Sequence, residues 1–158
     1  KELFHTNFWA WLFEINSKEA FKLFSDTENE IKGDVKREFS KTYNPTKIKA
    51  DEIKSVVDLL IPTITSNIVV ENKVKDFPRI EQLKLIEKYY KDYNTEFVLV
   101  SLFSANHLNL GVWNIISYAD IANKINANNF TSDSFEVTLI DRYKSFILKF
   151  RDLLPFIN

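Results

Sequence analysis

Cysteine and methionine are both absent from the 158 residues, and glycine occurs only twice. Without cysteine, disulfides and thiolate-ligated metal sites are excluded. Two glycines and four prolines leave no low-complexity linker, and no internal repeat divides the chain. No uninterrupted apolar run approaches the roughly 20 residues of a bilayer span. No secretory signal is visible either, so a cytoplasmic protein without a membrane segment is expected. The sequence opens at Lys1 and lacks methionine, so a trimmed terminus or a longer parent protein is expected at one or both ends. Net charge is almost missing too: the balance of 21 basic and 22 acidic residues is −1, which is not the profile of a strongly basic nucleic-acid binder.

What is present is a folded domain. At 45% hydrophobic and 15% aromatic residues the composition opposes disorder, and 158 residues suffice for one domain, 1–158, with a real core. The charge is unevenly spread. Residues 32–54 carry a local excess of three positive charges, and residues 71–91 an excess of two. Such lysine-rich stretches are either solvated faces or the flanks of an anionic ligand.

Hydrophobic periodicity gives the elements. Leu3, Phe4, Phe8, Trp11, Leu12 and Ile15 recur at helical spacing, so residues 2–15 read as a helix. A short second helix follows with Ser17 as its N-cap. "GDVKREFS" reads as a strand, and the polar "KTYNPTKIKADE" as a loop or strand extension. "SVVDLLI" and "NIVVENK" are rich in β-branched residues and read as strands, the first ended by Pro62. Pro78 suits the first turn of a helix over 79–92. "TEFVLVSLF" and "GVWNII" are further strands. Ser117 with Asp120, and Asp133 with Glu136, resemble capping boxes that open two more helices, the last over about 134–153. The expected class is α/β, a mixed sheet flanked by helices.

The two strands over 55–73 carry charges where a sheet should be buried. Alternate strand residues share a face, so Val69, Glu71 and Lys73 lie on one side, and Asp58 lies with Val56 and Leu60. If the strands pair, Asp58 and Glu71 converge. Two adjacent buried carboxylates repel, and the remedies are protonation, a basic partner or a divalent cation. Lys73 supplies one positive charge; Mg²⁺, which prefers hard oxygen ligands, would supply the rest. Carboxylates, cation and amine together suit metal-assisted phosphodiester hydrolysis, with flanking lysines on the nucleic-acid backbone. The plain alternative is a salt bridge between Asp58 and Lys73.

Asp58, then twelve residues, then Glu71-Asn72-Lys73 resembles the signature of the PD-(D/E)xK nuclease superfamily. The likeness extends to one microbial family within it: an opening helix like "ELFHTNFWAWLFE", a strand ending in Glu like "VKRE", an Asp-bearing strand like "VVDLLI", then "ENK". A helix like "EQLKLIEKYY" and a tryptophan strand followed by Ser-Tyr, as in "VWNIISYADI", complete it over most of residues 2–125. Val57 stands where the superfamily name has proline, Thr6 replaces the usual serine, and "NSKEAF" replaces a Gly- and His-bearing loop. The resemblance implies a restriction-endonuclease-like fold. It also implies Mg²⁺, with Mn²⁺ as substitute, held by Asp58, Glu71, the main-chain carbonyl of Asn72 and, from the first helix, Glu2. Lys73 would position the attacking water, and Gln82 would reach the site from the helix after the third strand. DNA would be the substrate, and foreign-DNA defence a setting for it. A homodimer would permit double-strand cleavage, though nothing in the sequence demands one.

Other residues have two readings each. Gln82 shares a helical stripe with Ile86 and Tyr89, and either faces water or needs a polar partner. Glu2 suits a helix N-terminus in any case. His5 is packed, capping or functional, and His107 is read as a loop residue. Glu38 approaches the site or pairs with a lysine. Trp9, Trp11 and Trp113 read as core, as do Tyr89 and Tyr90 in preference to base stacking. Lys75 and Arg79 are the candidates for phosphate contacts. Beside the nuclease stand two alternatives: a catalytically silent nuclease-fold binding module, and an interaction domain with no nucleic-acid role.

Overall fold

In the computed structural model, residues 2–27, 29–42, 54–74, 79–91, 94–102 and 110–153 are described. They build a five-stranded mixed sheet flanked by helices, in one small domain. The strands are β1 (Lys36–Thr42), β2 (Lys54–Pro62), β3 (Asn67–Lys73), β4 (Thr95–Ser101) and β5 (Trp113–Ser117), in spatial order 1-2-3-4-5. β1, β2 and β3 are antiparallel neighbours, whereas β3, β4 and β5 run parallel. The helices are α1 (Glu2–Ile15), α2 (Ser17–Phe21), α3 (Ile80–Tyr90), α4 (Tyr118–Lys124), α5 (Ala127–Phe130) and α6 (Ser134–Leu153). The expected order of elements holds, with one addition: the single turn of α5 sits between α4 and α6.

Strand alternation divides the core in two. Ile68 and Val70 of β3, Leu59 and Ile61 of β2, and Val98 and Val100 of β4 pack under α1, α2, α4 and α6. Val69, Phe97 and Leu99 pack under α3 through Leu83, Ile86, Tyr89 and Tyr90. Tyr89, Tyr90, Trp9 and Trp113 are therefore core residues, and Trp11 packs partly buried against the core. Burial pushes the Tyr90 hydroxyl up to about 12, and it donates to the Phe39 carbonyl at 3.4 Å.

Two local expectations are corrected. The cap of α2 is Asn16, whose Oδ1 accepts from the Glu19 N–H at 3.2 Å; Ser17 is already helical. A side-chain acceptor placed one residue earlier reaches the orphan N–H better than the serine hydroxyl inside the turn. The buried stripe of α1 is also rotated. Leu3 and Phe4 are exposed, while His5, Thr6, Phe8, Trp9, Leu12 and Phe13 face inward. Ser117 and Asp120 form the expected reciprocal capping box. Asp133 caps α6, its Oδ1 accepting from the N–H groups of Phe135 and Glu136, but its own N–H donates to Thr131 Oγ1 in place of the Glu136 carboxylate that a full box would use. Pro78 and His107 lie outside the described residues.

Glu38 has φ 44°, the left-handed region, in the middle of β1. The β1–β2 register runs Arg37↔Leu59 and Phe39↔Val57, which sets Glu38 across from Asp58. A β-branched side chain is a severe outlier at such a φ. Glu38→Val is thus expected to destabilise the fold by about 1–2 kcal/mol, although valine normally favours an exposed strand position. Urea denaturation checks this; an unchanged or higher midpoint would show that the backbone there is not left-handed.

Candidate active site

The β2–β3 ladder stops at Leu59↔Val70. Asp58 and Glu71 are the next residues on each strand, so both charges sit where the two strands part. At this fork the Asp58 carboxylate replaces the ladder: its Oδ2 accepts from the Asn72 N–H at 2.7 Å. The N–H and C=O of one strand residue leave the same edge of the strand, so the Asn72 carbonyl also faces the β2 side. The next residue points the other way, and the Lys73 carbonyl accepts from the Leu102 N–H on the β4 side.

Glu71 and Lys73 share the α3 face with Val69, as their alternation requires. The Glu71 side chain is 3% exposed and that of Lys73 14%. Lys73 Nζ lies 2.8 Å from Glu71 Oε1. Gln82, in the first turn of α3, donates from Nε2 to the same oxygen at 2.7 Å. The glutamine on the apolar stripe thus has the polar partner its position demanded. The lysine's ion pair is with Glu71, the acid two residues away on its own strand. Sequence alternation alone brought Glu71 and Lys73 together; α3 packing added Gln82.

The remaining candidates separate. Arg79 is exposed at the N-cap of α3, three residues before Gln82. Lys75 lies outside the described residues, and so does the side chain of Glu2, the first residue of α1. Glu38 is exposed on β1, across from Asp58. Among the described residues no three His, Cys, Asp or Glu side chains gather as a metal cage. The donor set at the fork is two carboxylates and one main-chain carbonyl. Mg²⁺ commonly uses one or two carboxylates and keeps several waters, so these hard oxygens fit it. A cavity of about 450 Å³ opens elsewhere, beside β5 and α4, lined by Asp26, Asn114, Asp120 and Lys124 among others. None of the fork residues lines it.

The Asn72 side chain points to the opposite face and is fully buried. Its Oδ1 accepts from the Tyr118 hydroxyl, and its Nδ2 donates to Thr6 Oγ1 at 3.4 Å. Nothing in the sequence reading gave Tyr118 or Thr6 this part. The only available signal was a polar residue flanked by strand residues that all had to be buried.

His5 sits next to this network, its ring edge-on to Tyr118 at 4.8 Å between centroids. Burial holds the Tyr143 hydroxyl far above its ordinary range, and it shares a hydrogen bond of 3.0 Å with His5 Nδ1. Burial also lowers the His5 pKa from 6.5 to about 4. The unfolded chain therefore takes up the proton first as pH falls. The stability owed to neutral His5 is complete above pH 6.5 and is lost between 6.5 and about 4. His5→Phe is expected to flatten this acid limb by on the order of 2 kcal/mol. The check is the difference in midpoint between the two proteins across that pH window; parallel curves would place the histidine in water.

Family models, curated proteins and solved structures were compared with the chain, and none matches.

Proposed function

We propose that the chain is a Mg²⁺-dependent nuclease of the PD-(D/E)xK superfamily, with a restriction-endonuclease-like fold, which hydrolyses DNA phosphodiesters in the cytoplasm. The observation that carries this reading is the meeting of Glu71, Lys73 and Gln82 at the fork where β2 leaves β3, with Asp58 bonded to the residue between them. The site also lies at the carboxyl ends of parallel strands, where open α/β sheets bind ligands.

Asp58, Glu71 and the Asn72 carbonyl would hold the ion. When bound, Mg²⁺ would polarise a phosphoryl oxygen and make a bound water acidic. The protein's own groups do the rest. Gln82 and Lys73 hold the Glu71 carboxylate in place, which limits its search through rotamers. The Lys73 ammonium orients a water and steadies negative charge as it develops on the phosphorane oxygens. Arg79, exposed at the start of α3, meets a backbone phosphate. Foreign-DNA defence is the biological role this reading favours.

The test is a nicking assay on supercoiled DNA with and without Mg²⁺. Cleavage is expected only with the ion, and Asp58→Asn is expected to reduce it at least about 100-fold. Full activity in Asp58→Asn would remove the carboxylate from its role. A second reading, a silent nuclease-fold binding module, is favoured by how completely Glu71 is engaged: it is 3% exposed and one oxygen already serves both Lys73 and Gln82. A thermal midpoint that rises with Mg²⁺ or Mn²⁺ supports the nuclease, and an unresponsive one the silent module.

A further inference from the structure

We infer that Ser101 is a positioning residue of the fork site: its buried hydroxyl is an acceptor onto which the Lys73 ammonium moves when a divalent cation takes the Glu71 carboxylate. The inference rests on the nuclease reading above. Ser101 closes β4 and is 1% exposed, yet among the described residues its Oγ has no hydrogen-bond partner. A buried hydroxyl left unbonded costs stability and is uncommon in folded proteins, so its retention asks for a use. Strand alternation gives its face. Val98, Val100 and Leu102 enter the core under α1, whereas Phe97 and Leu99 enter the core under α3. Ser101 thus shares the α3 face with Glu71, Lys73 and Gln82.

The register then gives its neighbour. The parallel β3–β4 ladder pairs Lys73 with Ser101, and the Leu102 N–H carries it one step further to the Lys73 carbonyl at 3.1 Å. Residues so paired stand side by side on strands about 4.8 Å apart. The serine hydroxyl therefore lies next to the root of the lysine side chain, on the side away from β2. The flexible four-carbon stem of lysine outreaches that spacing, so its ammonium can cross to β4 with no shift of the main chain. Without the ion, Lys73 Nζ lies 2.8 Å from Glu71 Oε1. A divalent cation on Glu71 competes for that carboxylate and repels the ammonium. Whatever else the lysine meets, Ser101 adds an oxygen on the side farther from the fork. Its hydroxyl accepts from the ammonium and keeps its own proton to donate. The hydroxyl is a cost to the metal-free fold and a gain to the metal-bound one.

The experiment is a Mn²⁺ binding titration by calorimetry, with metal-free thermal midpoints beside it, on the wild-type chain, Ser101→Ala, Lys73→Met and Lys73→Met/Ser101→Ala. Ser101→Ala is expected to leave the metal-free midpoint unchanged or to raise it, because an unbonded hydroxyl is removed. The same substitution is expected to weaken Mn²⁺ about 10-fold, as outer-shell groups commonly do. In the Lys73→Met background it is expected to change affinity less than about twofold, since the ammonium it serves is gone. A serine that merely packs would lower midpoint and affinity together, with or without the lysine. Unchanged affinity in Ser101→Ala overturns the inference and leaves the nuclease reading standing. A lowered metal-free midpoint, or an equal loss of affinity in the Lys73→Met background, does the same. Absence of Mn²⁺ binding in the wild type overturns both.

Discussion

Lys73→Met is expected to reduce Mg²⁺-dependent DNA cleavage at least about 100-fold and to cost about 2–3 kcal/mol of stability at neutral pH. The two effects have separate origins. The first follows from losing the ammonium beside the proposed reacting centre. The second follows from Glu71, whose side chain is 3% exposed and whose Oε1 receives that ammonium at 2.8 Å. Methionine keeps most of the apolar stem of lysine but takes the ammonium away from the buried carboxylate, to which the Gln82 amide still donates. An unpaired buried charge is costly, whereas a neutral pair of similar shape is tolerated. The double variant Glu71→Gln/Lys73→Met is therefore expected to be more stable than Lys73→Met alone, though equally inactive. Lys73 keeps 14% of its surface in water, which places the loss at the lower end of buried-pair values. Urea denaturation of the four proteins in the cycle gives the coupling directly. A loss below about 0.5 kcal/mol, the range of solvated pairs, would mean that Glu71 is not buried against Lys73.

The order of elements was legible because the periods were clean. "NIVVENK" alternates correctly about Val69, Glu71 and Lys73, and "RIEQLKLIEKYY" places Gln82, Ile86 and Tyr89 on one stripe. The charges inside these strands pointed to the fork for a simple reason: an apolar run tolerates an acid only where something meets it. Legibility failed where the information is not local. Aromatic residues surround α1, so the stripe through Leu3 and Phe4 could not be ranked against the buried one through His5 and Trp9. Asn16 and Ser17 are both good caps, and the choice between them rests on α1 ending at Ile15. The left-handed φ of Glu38 has no sequence signature in a strand rich in lysine and arginine. Asn72 entered the sequence reading only through its main-chain carbonyl, and the bond of its side chain to Tyr118, 46 residues away, is a product of tertiary packing.

That hold makes Asn72 the other position of large expected effect. Asn72→Leu is expected to destabilise the fold by about 3 kcal/mol. Leucine fills a similar volume, so the loss is one of hydrogen bonding more than of space. The Tyr118 hydroxyl and Thr6 Oγ1 each lose the partner Asn72 supplied, in a region where all three residues are at most 2% exposed. A buried polar group deprived of its partner costs about 1–3 kcal/mol, whereas replacing both partners with apolar groups can be nearly neutral. The asymmetry provides the check. Adding Tyr118→Phe to Asn72→Leu is expected to restore at least about 1 kcal/mol, because the donor is then removed along with its Asn72 acceptor. Tyr118→Phe by itself, which removes the bond to Asn72 Oδ1, is expected to destabilise. Additive losses in the double variant would mean that the two residues do not share a bond.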